Sequence, residues 1–298
     1  MATRAERFTS PIAYDEAEDN IAIGAVVPFD FGIDWEYWRY LPRGVSLYFT
    51  RTPYLRKPVG LELAKEVGRP STVARATKAL TALRPAAVLY ACASGSFVRG
   101  IEGERELRRV MRQAGALRAT TASGAMLDAL RACEATKVAV ATPYTDLLTD
   151  RLVSFIEEGG IEVVSAVNLG IKTGIAGVSR STVADLIRHA NRSNADAVFV
   201  GCTSLRTFGM VADLEHEIDR PILTSNQVTL WHALWAAGAL RRDEADLVDS
   251  GWVLGGGHPK AHSTDLLMKA AEGDFEPLEI ESDGRVDPEQ ATEAVGNP

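Results

Sequence analysis

Cys92 closes the apolar run of "AVLYACASGSFVRG" (87–100), and Cys202 closes a second such run in "AVFVGCTSLRT" (197–207). Each thiol falls where a buried strand is expected to end and small or hydroxyl residues take over. There it meets the peptide N–H groups of a turn and the start of a helix, which stabilise a thiolate and can hold a carboxylate oxygen. Ala93 and Ser94 accompany the first thiol, Thr203 and Ser204 the second. If both faced one cleft, one would remove a proton from carbon or add to it while the other delivered a proton from the opposite side. The charge that develops on a neighbouring carboxylate needs donors, and Tyr144, ending "KVAVATPY", offers a hydroxyl. The competing reading takes both cysteines as small buried hydrophobes, and the residues alone leave the two readings open. Cys133, in "LDALRACEA", reads as such a hydrophobe.

Other chemistries find little support. The three cysteines form no CxxC and have no adjacent histidine, so neither a disulfide framework nor a zinc site is expected, and no metal or organic cofactor is called for. The five histidines make no HxxxH or HExxH pair, and His216 and His232 read as surface or packing residues. "GSFVRG" lacks the GK[ST] of a phosphate loop, no GxGxxG follows the first strand, and Ser94 is not in GxSxG. A net charge of −8 over 298 residues argues against a nucleic-acid surface while leaving room for a small carboxylate in one local pocket. No apolar run is long enough to span a membrane and the first twenty residues hold no signal-peptide core, so a cytoplasmic protein with reduced thiols is expected.

The elements that must position these residues alternate along the chain. Apolar runs at 20–27, 45–52, 87–92, 137–144, 161–167 and 196–201 read as strands, most of them buried on both faces. Helical spacing occupies 59–83, 103–115, 123–135, 146–160, 181–193 and 225–239, with capping boxes at Thr182/Asp185 and Thr224/Gln227. Residues 212–225 read as a helix and short strand. "LGGGHPKAHS" reads as a flexible loop. This alternation predicts an α/β protein with parallel sheets covered on both faces.

The pattern also occurs twice. Pro28 precedes Cys92 by 64 residues and Pro143 precedes Cys202 by 59, each proline being followed by an aromatic residue. Two pseudo-symmetric Rossmann-like lobes are therefore expected, with the active site in the cleft between them, where the carboxyl ends of their strands meet. Residues 20–121 plus 226–258 are assigned to the first lobe and 122–225 to the second; 1–19 and 270–298 are expected as poorly ordered tails. The loop "PFDFGIDWEYW" either lines an apolar pocket with Phe29, Phe31 and Trp35 or packs those rings beneath itself. Arg51 and Lys172 are weak candidates for balancing a substrate charge.

Taken together, "VVP", "LYACASGSFVRG", "VAVATPYTDLLTDRLVSFIEE" and "VFVGCTSL" resemble the Asp/Glu racemase superfamily, within it the branch of maleate cis-trans isomerases and arylmalonate decarboxylases. The resemblance runs from about Asn20 to Ala239. It implies two α/β lobes, no cofactor, a small carboxylate substrate and, as in relatives, a homodimer. Cys92 takes the position of the thiol that attacks the double bond in maleate isomerases, and Cys202 that of the proton donor. Ser94 and Tyr144, with the backbone near Ala93 and Thr203, match the cradle for a carboxylate. Decarboxylases of this branch have glycine where Cys92 stands, so two thiols favour isomerase or racemase over decarboxylase. Maleate isomerases have asparagine where Phe31 stands, which puts maleate itself in question; Asp30, if it pointed inward, would repel a second carboxylate. The expectation is a cofactor-independent isomerase of the maleate isomerase type. Its rivals are a decarboxylase or an Asp/Glu/hydantoin-type racemase on the same scaffold, and a non-catalytic carboxylate-binding protein.

Overall fold

The computed structural model describes residues 20–241 and 262–272. The tails at 1–19 and 273–298, and most of the loop and first-lobe segment after 241, lie outside the described residues. Eight strands are found among them: β1 (Ile21–Val27), β2 (Val45–Arg51), β3 (Ala87–Tyr90), β4 (Ala119–Thr121), β5 (Lys137–Thr142), β6 (Glu162–Asn168), β7 (Ala197–Val200) and β8 (Ile222–Thr224). They form two four-stranded sheets of order β2-β1-β3-β4 and β6-β5-β7-β8, parallel throughout. The second order is the first shifted by four strands, so the duplicated motif is a duplicated topology. Inner strands β3, β5 and β7 are buried along almost their whole length, which explains why they read as unbroken apolar runs.

The helices are α1 (Asp34–Tyr40), α2 (Leu61–Val67), α3 (Pro70–Leu80), α4 (Ala93–Phe97), α5 (Gly100–Gln113), α6 (Ala122–Ala132), α7 (Asp146–Glu158), α8 (Arg180–Ala190), α9 (Val211–Ile218), α10 (Ser225–Ala236) and α11 (His262–Glu272). The single helical stretch expected over 59–83 is two helices. Gly68 ends α2 and Pro70 starts α3. The glycine is required because a Cβ there would overlap the carbonyl of Gly95, beside the first cysteine. The helix expected from 181 begins one residue earlier, at Arg180, with Ser179 rather than Thr182 as its cap, accepting from Thr182 N at 3.1 Å. Thr224 caps α10 as expected, accepting from Gln227 N at 3.3 Å.

α6 and α10 pack on each other and carry the chain across between the sheets. α10 leans on β3 and β4, and Trp231 of α10 is buried, donating from Nε1 to the Leu267 carbonyl of α11 at 2.8 Å. α11 runs to Glu272, so residues 270–272, assigned to the tail, are helical. Two buried polar joints stitch α6, α10 and their strands. His232 Nε2 lies 3.0 Å from Asp128 Oδ2 and its Nδ1 lies 2.9 Å from Thr120 Oγ1. Thr121 Oγ1 donates to Glu104 Oε1 at 2.6 Å while accepting from Gly124 N at 3.0 Å, capping α6.

Candidate active site between the two sheets

Both cysteines stand two residues beyond the end of the third strand of their sheets. After β3, the Ala91 amide continues the ladder to Val26 O at 2.8 Å, and Cys92, with extended backbone, occupies the N-cap of the five-residue α4. After β7, Gly201 N continues the ladder to Ala141 O at 2.8 Å, and then the backbone departs from symmetry. Cys202 has φ = +105°, a region that non-glycine residues adopt only under strain, whereas Cys92 has φ = −137°. No helix starts beside Cys202 either; turns run on to α9 at Val211. The helix-start environment expected at both thiols is therefore present at Cys92 only.

The strained conformation is held from several directions. Cys202 N donates to Ser225 Oγ at 3.0 Å, and Thr203 Oγ1 donates across the cleft to the Ala91 carbonyl at 3.0 Å. Farther along the same loop, Glu36 of α1 accepts from Thr207 N (2.6 Å), Phe208 N (3.0 Å) and Asn226 Nδ2 of α10 (2.8 Å). Glu36 is completely buried, and burial raises its carboxyl above the usual range despite these donors. Sequence reading missed it because "DWEYW" follows a Pro- and Gly-containing turn and was read as loop. On the other side, Ser96 Oγ lies 2.9 Å from the carbonyls of Cys92 and Ala93 and 2.7 Å from Ser123 Oγ of α6.

Cys92 and Cys202 line one small pocket that opens to solvent. Ala93, Ser94, Tyr144, Thr203 and Ser204 join them there, so six of the eight expected site residues converge. The opposite wall is apolar, made by Val59, Leu63, Val67 and Ile175. Phe29 and Phe31 are not in the lining. Phe31 is 1% exposed and stacks on Tyr37 at 5.3 Å between centroids, and Phe29 meets Tyr54 edge-on at 5.3 Å. With no polar tip to keep wet, Phe31 gains more from burial beneath the loop, Phe29 stays half-buried against Tyr54, and the loop presents Pro28 and Asp30 to the pocket instead. Arg51 and Lys172 are absent from the lining too. Arg51 Nη1 donates to the Phe31 carbonyl at 2.7 Å, with the Pro28 and Phe29 carbonyls at 3.4 Å, so it clamps this loop.

Electrostatics in the pocket favour neutral thiols. Burial dominates and raises Cys92, against the pull of the Gly95 amide and the Tyr90 hydroxyl. Cys202 is pushed up to about 12, mainly by burial, although Ser204 N (3.4 Å) and the Tyr144 hydroxyl bond its sulfur. The expected depression of thiol pKa by turn amides is thus outweighed by desolvation. Cys92 also raises Cys202 through space, and Asp30 raises both. Two thiolates together are disfavoured, so loss of one proton leaves the other sulfur as an acid.

Each sulfur has its own tyrosine, Tyr90 for Cys92 and Tyr144 for Cys202. Tyr90 was not singled out from the sequence because it reads as an inner strand residue. The single proton of its buried hydroxyl goes to the Val67 carbonyl at 2.9 Å and stabilises the Cys92 thiolate only by turning to the sulfur. Tyr90→Phe is expected to slow alkylation of Cys92 by iodoacetamide at fixed pH, by about tenfold if one charge-assisted hydrogen bond is lost. An unchanged rate in a folded variant would remove Tyr90 from the account.

Burial raises Cys133 to about 12 as well. A thiol kept neutral in the fold stabilises it fully below the unfolded pKa of about 8.5, and that contribution drains away as pH rises toward the folded value. Resistance to urea should therefore fall between pH 8 and pH 10, by about 2 kcal/mol per thiol at the upper end. The C133S variant should show a shallower fall.

The family model for arylmalonate decarboxylase matches residues 44–246. The chain belongs to the arylmalonate decarboxylase family. The arylmalonate decarboxylase of Bordetella bronchiseptica is 32% identical over 148 residues, 48% of this chain and 61% of that protein, so the match spans less than two thirds of that relative. The maleate isomerase of Alcaligenes faecalis is 25% identical over 191 residues, 61% of this chain and 74% of its own. A solved structure of Nocardia farcinica maleate cis-trans isomerase, which carries a covalently bound succinylcysteine intermediate, is alike in fold, with a TM-score of 0.65, 22% identity and coverage of 73% of this chain and 93% of that one. The relatives of this chain thus include enzymes named for two reactions. Among the described residues, no helix is long and apolar enough to cross a membrane.

Proposed function

We propose that this member of the arylmalonate decarboxylase family is a cofactor-independent isomerase that acts on a small unsaturated carboxylate through Cys92 and Cys202, in a reducing cytoplasmic setting. The observation that carries this reading is the convergence of two thiols, from equivalent strand ends of the two sheets, on one small pocket with hydroxyls beside them. The covalent succinylcysteine in the Nocardia enzyme is the kind of adduct such a pocket would form.

In this mechanism the Cys92 thiolate forms a bond to one alkene carbon, and the π pair moves toward the other carbon and its carboxylate. The hydroxyls of Ser94 and Tyr144 and the neighbouring amides, that of Thr203 among them, stabilise the charge on the carboxylate oxygens. Cys202 protonates that carbon, giving a saturated thioether free to rotate about its former double bond. Cys202, now thiolate, takes a proton back from the same carbon. The double bond re-forms as the C–S pair returns to Cys92, and both thiols end as they began. In the minority of molecules in which Cys92 is ionised, its charge helps to keep the proton on Cys202, so the nucleophile and the acid are present together.

A second reading rests on the apolar wall of Val59, Leu63, Val67 and Ile175, which would take an aryl or alkyl group. There the substrate loses CO₂ and Cys202 protonates the carbanion left behind, with Cys92 a spectator. Proton NMR in deuterated buffer with maleate, 2-substituted maleates, aryl- and alkylmalonates and aspartate separates the readings. Cis-trans conversion that needs both thiols supports the isomerase. CO₂ loss that survives Cys92→Ala supports the decarboxylase, deuterium uptake by aspartate a racemase, and no turnover a binding protein.

A further inference from the structure

The charges around the pocket are one-sided. Ser94, Tyr144 and Ser204 supply neutral hydroxyls beside the sulfurs, the Thr203 hydroxyl being spent on the Ala91 carbonyl, and among the described residues no Lys, Arg or His lines the space. Its one ionisable side chain besides the thiols and Tyr144 is Asp30, which is solvent-exposed and therefore sits at the mouth. Asp30 is part of the lining, and its charge raises both thiols and Tyr144.

Asp30 is also fixed in place. The Phe31 amide bonds the Pro28 carbonyl at 3.1 Å, and Phe29 N donates to Thr52 Oγ1 at 3.2 Å. Arg51 grips the carbonyls on either side, and Phe31 anchors the turn in the core. The Arg51 guanidinium points its Nη1 at those carbonyls and stays outside the lining; its charge favours the Asp30 carboxylate but does not overcome partial burial, which raises that carboxyl. A substrate held by one carboxylate among the hydroxyls consequently presents its far end to a negative charge. A second carboxylate there is repelled; an N–H donor is attracted.

We infer that Asp30 is a specificity-determining residue that selects a monocarboxylate bearing an N–H donor at its far end, such as the half-amide of a dicarboxylic acid, over the dicarboxylate. This inference rests on the proposed carboxylate site but not on turnover, so binding is the first test. Affinities of the unreactive pair succinate and succinamate are to be measured by calorimetry for the native protein and for Asp30→Asn, at low and high salt. Expected is a preference for succinamate of about tenfold, smaller at high salt, and erased in Asp30→Asn by tighter succinate binding.

Equal affinities in the native protein, a ratio unchanged by Asp30→Asn, or no binding of succinamate overturns the inference. The reactive pair maleate and maleamate then reports on the chemistry. If succinamate is preferred but maleamate is not turned over, Asp30 keeps its role and the isomerase reading falls.

Discussion

Replacing Cys202 with alanine is expected to lower turnover about a thousandfold or more, because it removes the proton that both the isomerase and the decarboxylase readings require. Alanine is the fair substitute. It retains the Cβ that makes φ = +105° unfavourable, so the backbone strain of the native loop persists and only the sulfur is lost, whereas glycine would also relax the loop. Cys92→Ala is expected to cost cis-trans isomerisation as much, since no other thiol lines the pocket among the described residues except Cys202 itself. The two variants should melt close to the native protein. Turnover in Cys202→Ala within tenfold of native would sink both readings, and the alanine pair together distinguishes one-thiol from two-thiol chemistry.

The same thiols predict the direction of the pH profile. Burial raises Cys92, so at neutral pH only a minority of molecules hold the nucleophilic thiolate, while Cys202, pushed up to about 12, keeps its proton. Activity under subsaturating substrate should climb with pH, about tenfold per unit well below the Cys92 pKa, with no matching loss of the acid until far more alkaline. A profile flat from pH 7 to pH 9 would mean that a bound substrate, rather than solvent, sets the ionisation.

The second large effect concerns Glu36. Removing its carboxylate by Glu36→Ala strands the amides of Thr207 and Phe208 and the side chain of Asn226 without their acceptor in a dry interior. Breaking a buried, fully partnered carboxylate of this kind costs about 3–5 kcal/mol. Thermal unfolding should drop by roughly 10 °C, and alkylation of Cys202 should quicken because the loop that carries it loses its tether. Glu36→Gln keeps the shape and one acceptor oxygen, and should lose less than half as much. Full loss in Glu36→Ala with none in Glu36→Gln would point to packing rather than to the acceptor pair.

What could be read from the residues followed from periodicity. Unbroken apolar strands, the two cysteines at their ends and the repeat from Pro28 and Pro143 were enough to reach the two parallel sheets and six of the pocket residues. What could not be read depended on which way a short loop turns. Phe29 and Tyr144 both follow a proline at the end of an inner strand, yet only the hydroxylated ring enters the pocket. The apolar ring of Phe31 draws the first loop inward onto Tyr37 and leaves Asp30 facing the thiols. Periodicity is also silent on Cys202, whose positive φ breaks a symmetry that the sequence repeat implies. Glu36 shows the same limit, since a lone glutamate in an aromatic-rich turn looks solvated until its partners 171 and 190 positions away are in place.

The amide of Val59, on the apolar wall, donates to the carbonyl of Lys172 at 2.8 Å. The first belongs to the segment between β2 and α2, the second to the segment after β6, so this single backbone bond joins the two halves beside the opening. On the inner side the halves are tied more heavily, by Thr203 to Ala91 and by Glu36 to Thr207 and Phe208. Parting the halves at Val59 and Lys172 breaks one backbone bond worth about 1 kcal/mol net, far less than at Thr203 and Glu36, so passage of substrate and product is expected to be cheapest on that side. Release of product should then be rapid, leaving the bond-making steps at the two sulfurs to set the pace.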